Sequence, residues 1–444
     1  MNALTAEPSL LVLKEDVGGI TESYYEATVS RPARAPPLRE SIDVDVGVVG
    51  GGYAGISGAL ELAERGYSVA LLEAQRLGWG ASGRNGGQVL VGMGSEGECA
   101  IEEQLSVEWA KRAWNISVEG VQLVHERIRK HAIRCEYRPG YLSISAKRRR
   151  SLALERWAAH VVNAYEYPLR FIGPGEIGQW IASDRFHSAV FDPGSGHLHP
   201  LKYCLGLAAA ARAAGVRIYE KTPVLSMERG ARPVLRTRDG RVTCRFVLLA
   251  GNVYLDEWGD QIAPELSGRI MPVATYIIAT EPMGKERADA LIRDRAAVSD
   301  TNYAVDYFRV SADNRLLFGG GESHSQKWPR KLVPQMLKRM LDVFPQLSDL
   351  AVTHSWGGLV DISLNLAPDF GRVRDNVYYL QGFSGHGLAL SGVAGRLVAE
   401  AIAGHAERFD VFARLEHRRF PGGKWIRTPA LALAILYYRM LDLL

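Results

Sequence analysis

The stretch from Asp45 to Glu73 constrains this chain more than any other. Asp45-Val-Gly-Val-Val-Gly50 is a short apolar run that ends in the glycine turn Gly50-Gly51-Gly52-Tyr53-Ala54-Gly55. An alanine-rich helical stretch follows from Ile56 to Arg65, with Gly66 placed as its C-terminal cap. Tyr67-Ser-Val-Ala-Leu-Leu72 gives a second buried strand, closed by Glu73. Strand, glycine turn, helix, strand and acid make one complete βαβ unit. In that setting the spacing Gly50-x-Gly52-x-x-Gly55 fits a dinucleotide site. Gly50 permits the tight turn, Gly52 lets backbone N–H groups approach a pyrophosphate, and Gly55 lets the helix pack on the sheet. The anion would lie at the N-terminal end of the helix dipole, close to Tyr53 and Ala54. Glu73, eighteen residues beyond Gly55, is placed to accept hydrogen bonds from a ribose diol, and it disfavours a 2′-phosphate. NAD and FAD both satisfy this fingerprint.

Two further glycine-dense segments bear on that choice. Gly78-Trp79-Gly80-Ala81-Ser82-Gly83-Arg84-Asn85-Gly86-Gly87-Gln88 comes directly after the acid. A loop running along a long ligand would use its glycines for backbone donors and Ser82 or Arg84 for phosphate or flavin oxygens. Near the C-terminal end, Gly382-Phe-Ser-Gly385-His386-Gly387-Leu388 repeats the order of strand, glycine turn and helix. Its helix N-terminus would donate to a second negative centre, such as the pyrimidine end of a reduced flavin. His386 reads equally well as a cofactor contact or as a structural histidine.

The rest of the chain alternates between helical and β-rich stretches. Residues 1–40 carry Pro32, Pro36 and Pro37 and suggest an arm into the first domain. Helices are expected over Val107–Lys130, Leu201–Ala214 and Leu388–Ile402. Strands are expected over Gly140–Ser145, Val216–Tyr219, Phe246–Ala250, Val273–Thr280, Tyr303–Val310, Arg315–Phe318 and Asn376–Leu380, with a hairpin turning at Asp239-Gly240. The densest charge run, Lys147 to Arg150, reads as a solvated turn or a helix start.

Composition excludes several function classes. A formal charge of +4 over 444 residues gives no electrostatic case for nucleic acid. Cys99, Cys135, Cys204 and Cys244 lie far apart with no Cys-x-x-Cys pair, which argues against a zinc ribbon or a dithiol motif and leaves metal ligation unexpected. Reduced, buried thiols of that kind suit a cytoplasmic chain. No signal-peptide pattern is read at the N-terminus, and no apolar run reaches the ~18 residues of a membrane span.

Taken together, these motifs resemble the glycine oxidase / D-amino-acid oxidase type of FAD-dependent oxidoreductases, and within them the gamma-glutamylputrescine oxidoreductase group. The resemblance spans nearly the whole chain. It rests on Ser23-Tyr24-Tyr25, the fingerprint Gly50–Gly55, Gly80 to Gln88, Asp306 to Arg309, Leu316 to Gly320, and Trp356-Gly357-Gly358 with Pro368. Gly385-His386-Gly387 and the tail around Arg427-Thr428-Pro429-Ala430 and Leu436 to Arg439 complete it. The implied fold is α/β (α+β overall): a Rossmann-like, doubly wound FAD-binding domain interleaved with a second domain built on a large mixed β-sheet. The corresponding division is an N-terminal arm (1–40), FAD-binding segments at 41–100, 191–265 and 351–410, substrate-domain segments at 101–190 and 266–350, and a C-terminal packing tail (411–444).

By this resemblance FAD would be touched by Gly50, Gly52, Tyr53, Ala54, Glu73, Ser82, Gly83, Arg84, Asn85, Gly86, Gly87, Gln88, Val224, Ala250, Gly251, Gly385, His386, Gly387 and Leu388. Some relatives attach flavin through a cysteine in the segment corresponding to Asp361–Pro368. That segment has no cysteine here, so non-covalent FAD is expected. The implied reaction is oxidation of an amine C–N bond, with a gamma-glutamylated polyamine or alkylamine as substrate and oxygen as acceptor. Tyr276, Tyr303, Tyr307 and Arg309 form the expected substrate wall. Tyr307 and Arg309 share one strand face, and Arg309 is placed to hold a carboxylate. Two alternatives stay open at this stage: a dehydrogenase passing electrons to a quinone or carrier, and a nucleotide-binding sensor without turnover. Association into a homo-oligomer is compatible with all of them.

Overall fold

The computed structural model describes residues 23–94, 97–255, 257, 258, 262–302, 304–323, 329 and 331–421. Most of the expected arm, the tail from 422 onward and Tyr303 lie outside the described residues.

The chain builds two large sheets. The six-stranded one runs in the order Asp369–Arg374, Val377–Gln381, Phe246–Leu249, Val46–Val49, Val69–Leu72, Arg217–Tyr219. Every neighbouring pair in it is parallel except the first. Val46–Val49 and Val69–Leu72 are buried at every residue, as a parallel sheet covered on both faces demands. From Val46–Val49 the sheet grows in opposite directions, to Val69–Leu72 on one side and Phe246–Leu249 on the other. That reversal opens a crevice at the carboxyl ends of the two central strands, where doubly wound sheets bind ligands.

Helices Tyr53–Glu64, Val107–Lys130, Pro200–Ala213 and Gly387–Ile402 contribute to one apolar core with this sheet. The first and last of them meet closely: a Cβ on Gly395 would lie 2.5 Å from the Gly58 nitrogen. Beside that crossing, buried Glu61 receives Arg127 Nη2 at 3.1 Å, Arg396 Nε at 3.1 Å and Arg65 Nη1 at 2.6 Å. Burial opposes ionisation of Glu61, but the guanidinium groups outweigh it and hold the carboxyl below its ordinary range. One carboxylate thus ties three helices together, including both whose N-termini come up to the crevice.

The larger sheet takes nine strands. Its path is Val352–Ser363, Ile270–Thr280, Leu316–Ser323, Tyr307–Val310, Ala297–Asp300, Arg138–Ser145, Ser188–His197, Gln88–Val89, and Arg170–Ile172 also pairs with Ser188–His197. It is mixed: Ala297–Asp300 runs parallel to Arg138–Ser145 and the other pairs are antiparallel. A second core forms against it under the helix Leu332–Val343. Val352–Ser363 belongs here although it falls in the segment 351–410 expected in the FAD-binding part, so the chain crosses between the sheets inside that segment. Of the strand expected over Tyr303–Val310, residues 304–306 form a connection instead, and the strand starts at Tyr307. The charged run at 147–150 is a helix start, with Lys147 at the N-cap of Arg148–Tyr165. Among the described residues no helix is long and apolar enough to cross a membrane.

Candidate functional site: a cleft between the two sheets

The crevice is walled by residues from four separated stretches of chain. Gly50–Ala54, Glu73–Gln75, Trp79–Ser82, Asn85, Gly86 and Gln88 come from the first, and Val224 with Ala250–Leu255 and Trp258 from the second. Leu359–Asp361 comes from the edge strand of the nine-stranded sheet, and Leu380, Phe383, Gly385, Gly387 and Leu388 from the C-terminal glycine turn and helix.

The turn at Gly50 has φ +111°, and a Cβ there would lie 2.5 Å from the Ala250 carbonyl oxygen, so only glycine lets the two central strands end side by side. Glu73 closes the same turn. Its Oε2 accepts from Gly51 N at 2.6 Å and its Oε1 from Gln75 N at 2.7 Å. Burial nevertheless pushes its carboxyl up to about 7, against the pull of those N–H groups. Ser82 lies over the first turn of Tyr53–Glu64, its Oγ accepting from Tyr53 N at 3.0 Å.

The loop beyond Ser82 is closed on itself by Asn85. Its Nδ2 donates to Ala81 O at 2.9 Å, and its Oδ1 accepts from Gly87 N at 2.8 Å. Gln88 Nε2 donates to Val298 O and Ser299 Oγ, both at 3.1 Å, which anchors the loop's exit to the nine-stranded sheet.

Asp361, a residue that sequence reasoning did not single out, is buried on the cleft wall. Its Oδ2 accepts from Phe383 N at 2.9 Å and its carbonyl from Ser384 N at 3.0 Å, so it holds the C-terminal glycine turn against the nine-stranded sheet. Burial raises its carboxyl to about 6. An acid inside the apolar run Leu359-Val360-Asp361-Ile362 was the available signal. Asn252, Trp79, Tyr254 and Trp258 on the cleft wall were missed as well, and Asn252 follows directly on the expected Ala250-Gly251.

Several expected positions lie elsewhere. Gly83, Arg84, Gly87 and His386 are not among the cleft-lining residues. Arg84 turns back, with Nε to Trp79 O at 2.8 Å and Nη1 to Gly357 O at 3.2 Å. His386 sits at the start of Gly387–Ile402, and its buried Nδ1 has no hydrogen-bond partner among the described residues. Burial lowers its pKa to about 4, which leaves a neutral imidazole. Tyr276 is in the core under the nine-stranded sheet. Tyr307 packs against Gly86 and Gly319, with its hydroxyl 3.2 Å from Thr275 Oγ1. Arg309 is 4% exposed and engaged: Nε donates to Gly86 O at 2.6 Å and Nη2 to Tyr25 Oη at 3.2 Å. The expected carboxylate anchor therefore braces the loop from behind. Strand alternation did put Tyr307 and Arg309 on one face, the face that meets the loop.

Residues 45–401 match the family described as FAD dependent oxidoreductase (DAO). The chain belongs to this family. Within it, the chain is 41% identical over 422 residues to the gamma-glutamylputrescine oxidoreductase of Escherichia coli (strain K12), which spans 95% of this chain and 98% of that one. It is 24% identical over 386 residues to the glycine oxidase of Geobacillus kaustophilus, over 83% and 95% of the two chains. Among solved structures, the L-proline dehydrogenase from P. horikoshii superposes with a TM-score of 0.71 at 20% identity, covering 85% of this chain and 98% of that one. This FAD-dependent oxidoreductase has a cleft whose chemistry suits the cofactor. Two helix N-termini offer first-turn N–H groups without intrahelical acceptors, a buried carboxylate faces the turn, and the Gly50 turn brings backbone donors to the wall.

Proposed function

We propose that this chain oxidises the C–N bond of a small amine, with a gamma-glutamylated polyamine or related alkylamine as substrate and oxygen as the final acceptor. The observation that carries this reading is the 41% identity, over nearly the full length of both chains, to a protein named for oxidising gamma-glutamylputrescine. The lining chemistry supports it. The carboxyls on the cleft wall are Glu73 and Asp361, and among the described residues no lysine, arginine or histidine joins them. Such a wall suits the amine end of the substrate.

The first turn of Tyr53–Glu64, with Gly50, Gly52 and Ser82 beside it, would hold the pyrophosphate of FAD. Glu73 would accept from the ribose hydroxyls, through the lone pairs that Gly51 N and Gln75 N leave free. Val224, Ala250 and Gly251 would wall the nucleotide. Gly83 to Gln88 and the turn Gly385–Leu388 would bound the flavin end, with His386 and Arg84 supporting from behind. FAD supplies, when bound, the two-electron acceptor for the reaction. On the substrate, the carbon bearing nitrogen loses a hydride and the nitrogen a proton, leaving an imine. Water then converts the imine to an aldehyde and ammonia or an amine. The reacting amine must be neutral, whereas a free alkylammonium titrates near ~10.4. Burial against Leu359, Val360 and Phe383 lowers that value, so orientation rather than a dedicated base carries the step.

The test is an absorption spectrum of the purified protein followed by anaerobic addition of amines. Bleaching of the flavin bands by gamma-glutamylputrescine, and not by D-alanine or sarcosine, is expected. Recovery of the bands in air with formation of peroxide selects oxygen over a quinone or carrier. Bleaching by D-alanine or sarcosine alone overturns the substrate assignment.

A further inference from the structure

The short helix Tyr24–Ala27 precedes the nucleotide fingerprint by some twenty residues, yet it is keyed into the loop that lines the cleft. Ser23 caps it, its Oγ accepting from Glu26 N at 3.1 Å. Tyr25 is fully buried. Its ring stands edge-on to Trp356, with centroids 5.0 Å apart, and lies 4.9 Å from the His199 ring. Its oxygen accepts from Arg309 Nη2 at 3.2 Å. Burial raises the His199 ring's cost of protonation, with Arg309 adding to it, so this face of Tyr25 meets a neutral imidazole.

Both of the larger partners reach past Tyr25 to the glycine loop. Trp356 Nε1 donates to Arg84 O at 2.9 Å, and Arg309 Nε donates to Gly86 O at 2.6 Å. Two carbonyls, two residues apart, are therefore held from behind by side chains that rest on one tyrosine. The N–H groups of those same peptide units are also used inside the protein: Asn85 N donates to Ala81 O at 3.1 Å and Gly87 N to Asn85 Oδ1 at 2.8 Å. Because a peptide unit is planar, fixing its carbonyl and its N–H fixes the whole plane. Between the two fixed planes lies the Asn85–Gly86 peptide, whose residues both line the cleft and whose carbonyl and N–H take no hydrogen bond among the described residues.

We propose that Tyr25 is a positioning residue: through Trp356 and Arg309 it sets the two flanking peptide planes and so presents the Asn85–Gly86 peptide to the flavin. This rests on the reading above that the loop Gly83–Gln88 bounds the flavin. Tyr24, its neighbour, serves as an internal control. Its hydroxyl donates to Asp313 Oδ1 at 2.7 Å and touches neither loop anchor.

The experiment measures FAD dissociation and the shape of the visible flavin band in four variants of the full chain, together with their melting temperatures. Tyr25→Phe keeps the ring on Trp356 and removes only the acceptor for Arg309. It is expected to weaken FAD binding by roughly three- to tenfold and to alter the band shape. Tyr25→Leu removes both supports and is expected to weaken binding further. Tyr24→Phe is expected to bind FAD like the parent, with an unaltered band. If both Tyr25 variants retain parental affinity and band shape while only melting lower, Tyr25 is a packing residue and the proposal is overturned; if Tyr25→Leu does not fold, Tyr25→Phe decides alone. Asn85→Ala separates the two readings. Parental flavin affinity in Asn85→Ala refutes the loop's role itself, whereas loss of flavin there with unchanged Tyr25 variants refutes only the positioning role.

Discussion

Glu73 closes the glycine turn and, on the proposed reading, would meet the ribose as well. Its two oxygens each take one backbone N–H, at 2.6 and 2.7 Å, and burial still pushes its carboxyl up from 4.5 to about 7. The sign of the consequence for the protein without cofactor follows from that direction. A group whose pKa is higher folded than unfolded gives stability that is complete below 4.5 and lost as pH rises through about 7. Ribose hydroxyls would donate to the ionised form, so FAD binding must draw the pKa down and affinity must rise with pH across the same window. Titration of flavin-free protein with FAD is expected to give a tighter dissociation constant at pH 8 than at pH 6. Glu73→Gln, which turns an amide N–H₂ toward one of the two backbone donors, is expected to flatten that slope and to cost about 1–3 kcal/mol of FAD affinity. Equal dissociation constants at both pH values would remove Glu73 from the ribose site.

At the scale of elements, legibility followed how local the physics is. The βαβ unit could be read because its glycine spacing, apolar runs and acid all lie within one short window, and the observed helix Tyr53–Glu64 and strands Val46–Val49 and Val69–Leu72 follow from it. Val107–Lys130 matches its expected bounds because its apolar stripe is continuous and Ser106 caps it, with Oγ accepting from Trp109 N. The nine-stranded sheet was harder. Val352–Ser363 carries Gly357-Gly358, and Ser188–His197 carries Pro193, Gly194 and Gly196, residues that weaken a strand pattern. In Val352–Ser363 the glycines serve tertiary neighbours: a Cβ on Gly357 would meet the Tyr276 ring at 2.9 Å, and one on Gly358 would meet Arg84 at 3.3 Å. No local pattern encodes that reason. For a related cause alternation gave the face of Arg309 but not the loop that lands on that face, where its guanidinium meets Gly86 and Tyr25. Arg309→Met tests the revised role. It strands the Gly86 carbonyl and the Tyr25 hydroxyl, and is expected to destabilise the protein by about 1–3 kcal/mol in denaturant melts. A rise in KM for the amine with no change in stability would instead restore the carboxylate anchor.

Across the whole molecule, the cleft is the seam between two sheets. Its walls come from Gly50–Gln88, Val224–Trp258, Leu359–Asp361 and Leu380–Ser391, so a cofactor spanning it would touch four stretches that fold apart in sequence. Three protein features already draw those stretches together: Glu61 with its arginines, the Gly58–Gly395 crossing, and Asp361 on the C-terminal turn. Asp361 acts from the cleft wall and the other two act along the flanking helices, whereas FAD would act along the length of the cleft. Binding to the folded form alone stabilises it by about 2.7 kcal/mol when free FAD is a hundredfold above its dissociation constant. Release of flavin and loss of helix are therefore expected to coincide when the holoenzyme is heated, followed by flavin fluorescence and circular dichroism in one sample, with a midpoint that climbs as FAD is added. Asp361→Asn weakens the hold on the C-terminal turn, because an amide can offer its N–H₂ where the carboxylate accepted from Phe383 N. In that variant the flavin signal is expected to move to lower temperature than the helical signal. Flavin leaving the parent enzyme well below its helical midpoint would mean that these protein contacts hold the four stretches together without the cofactor.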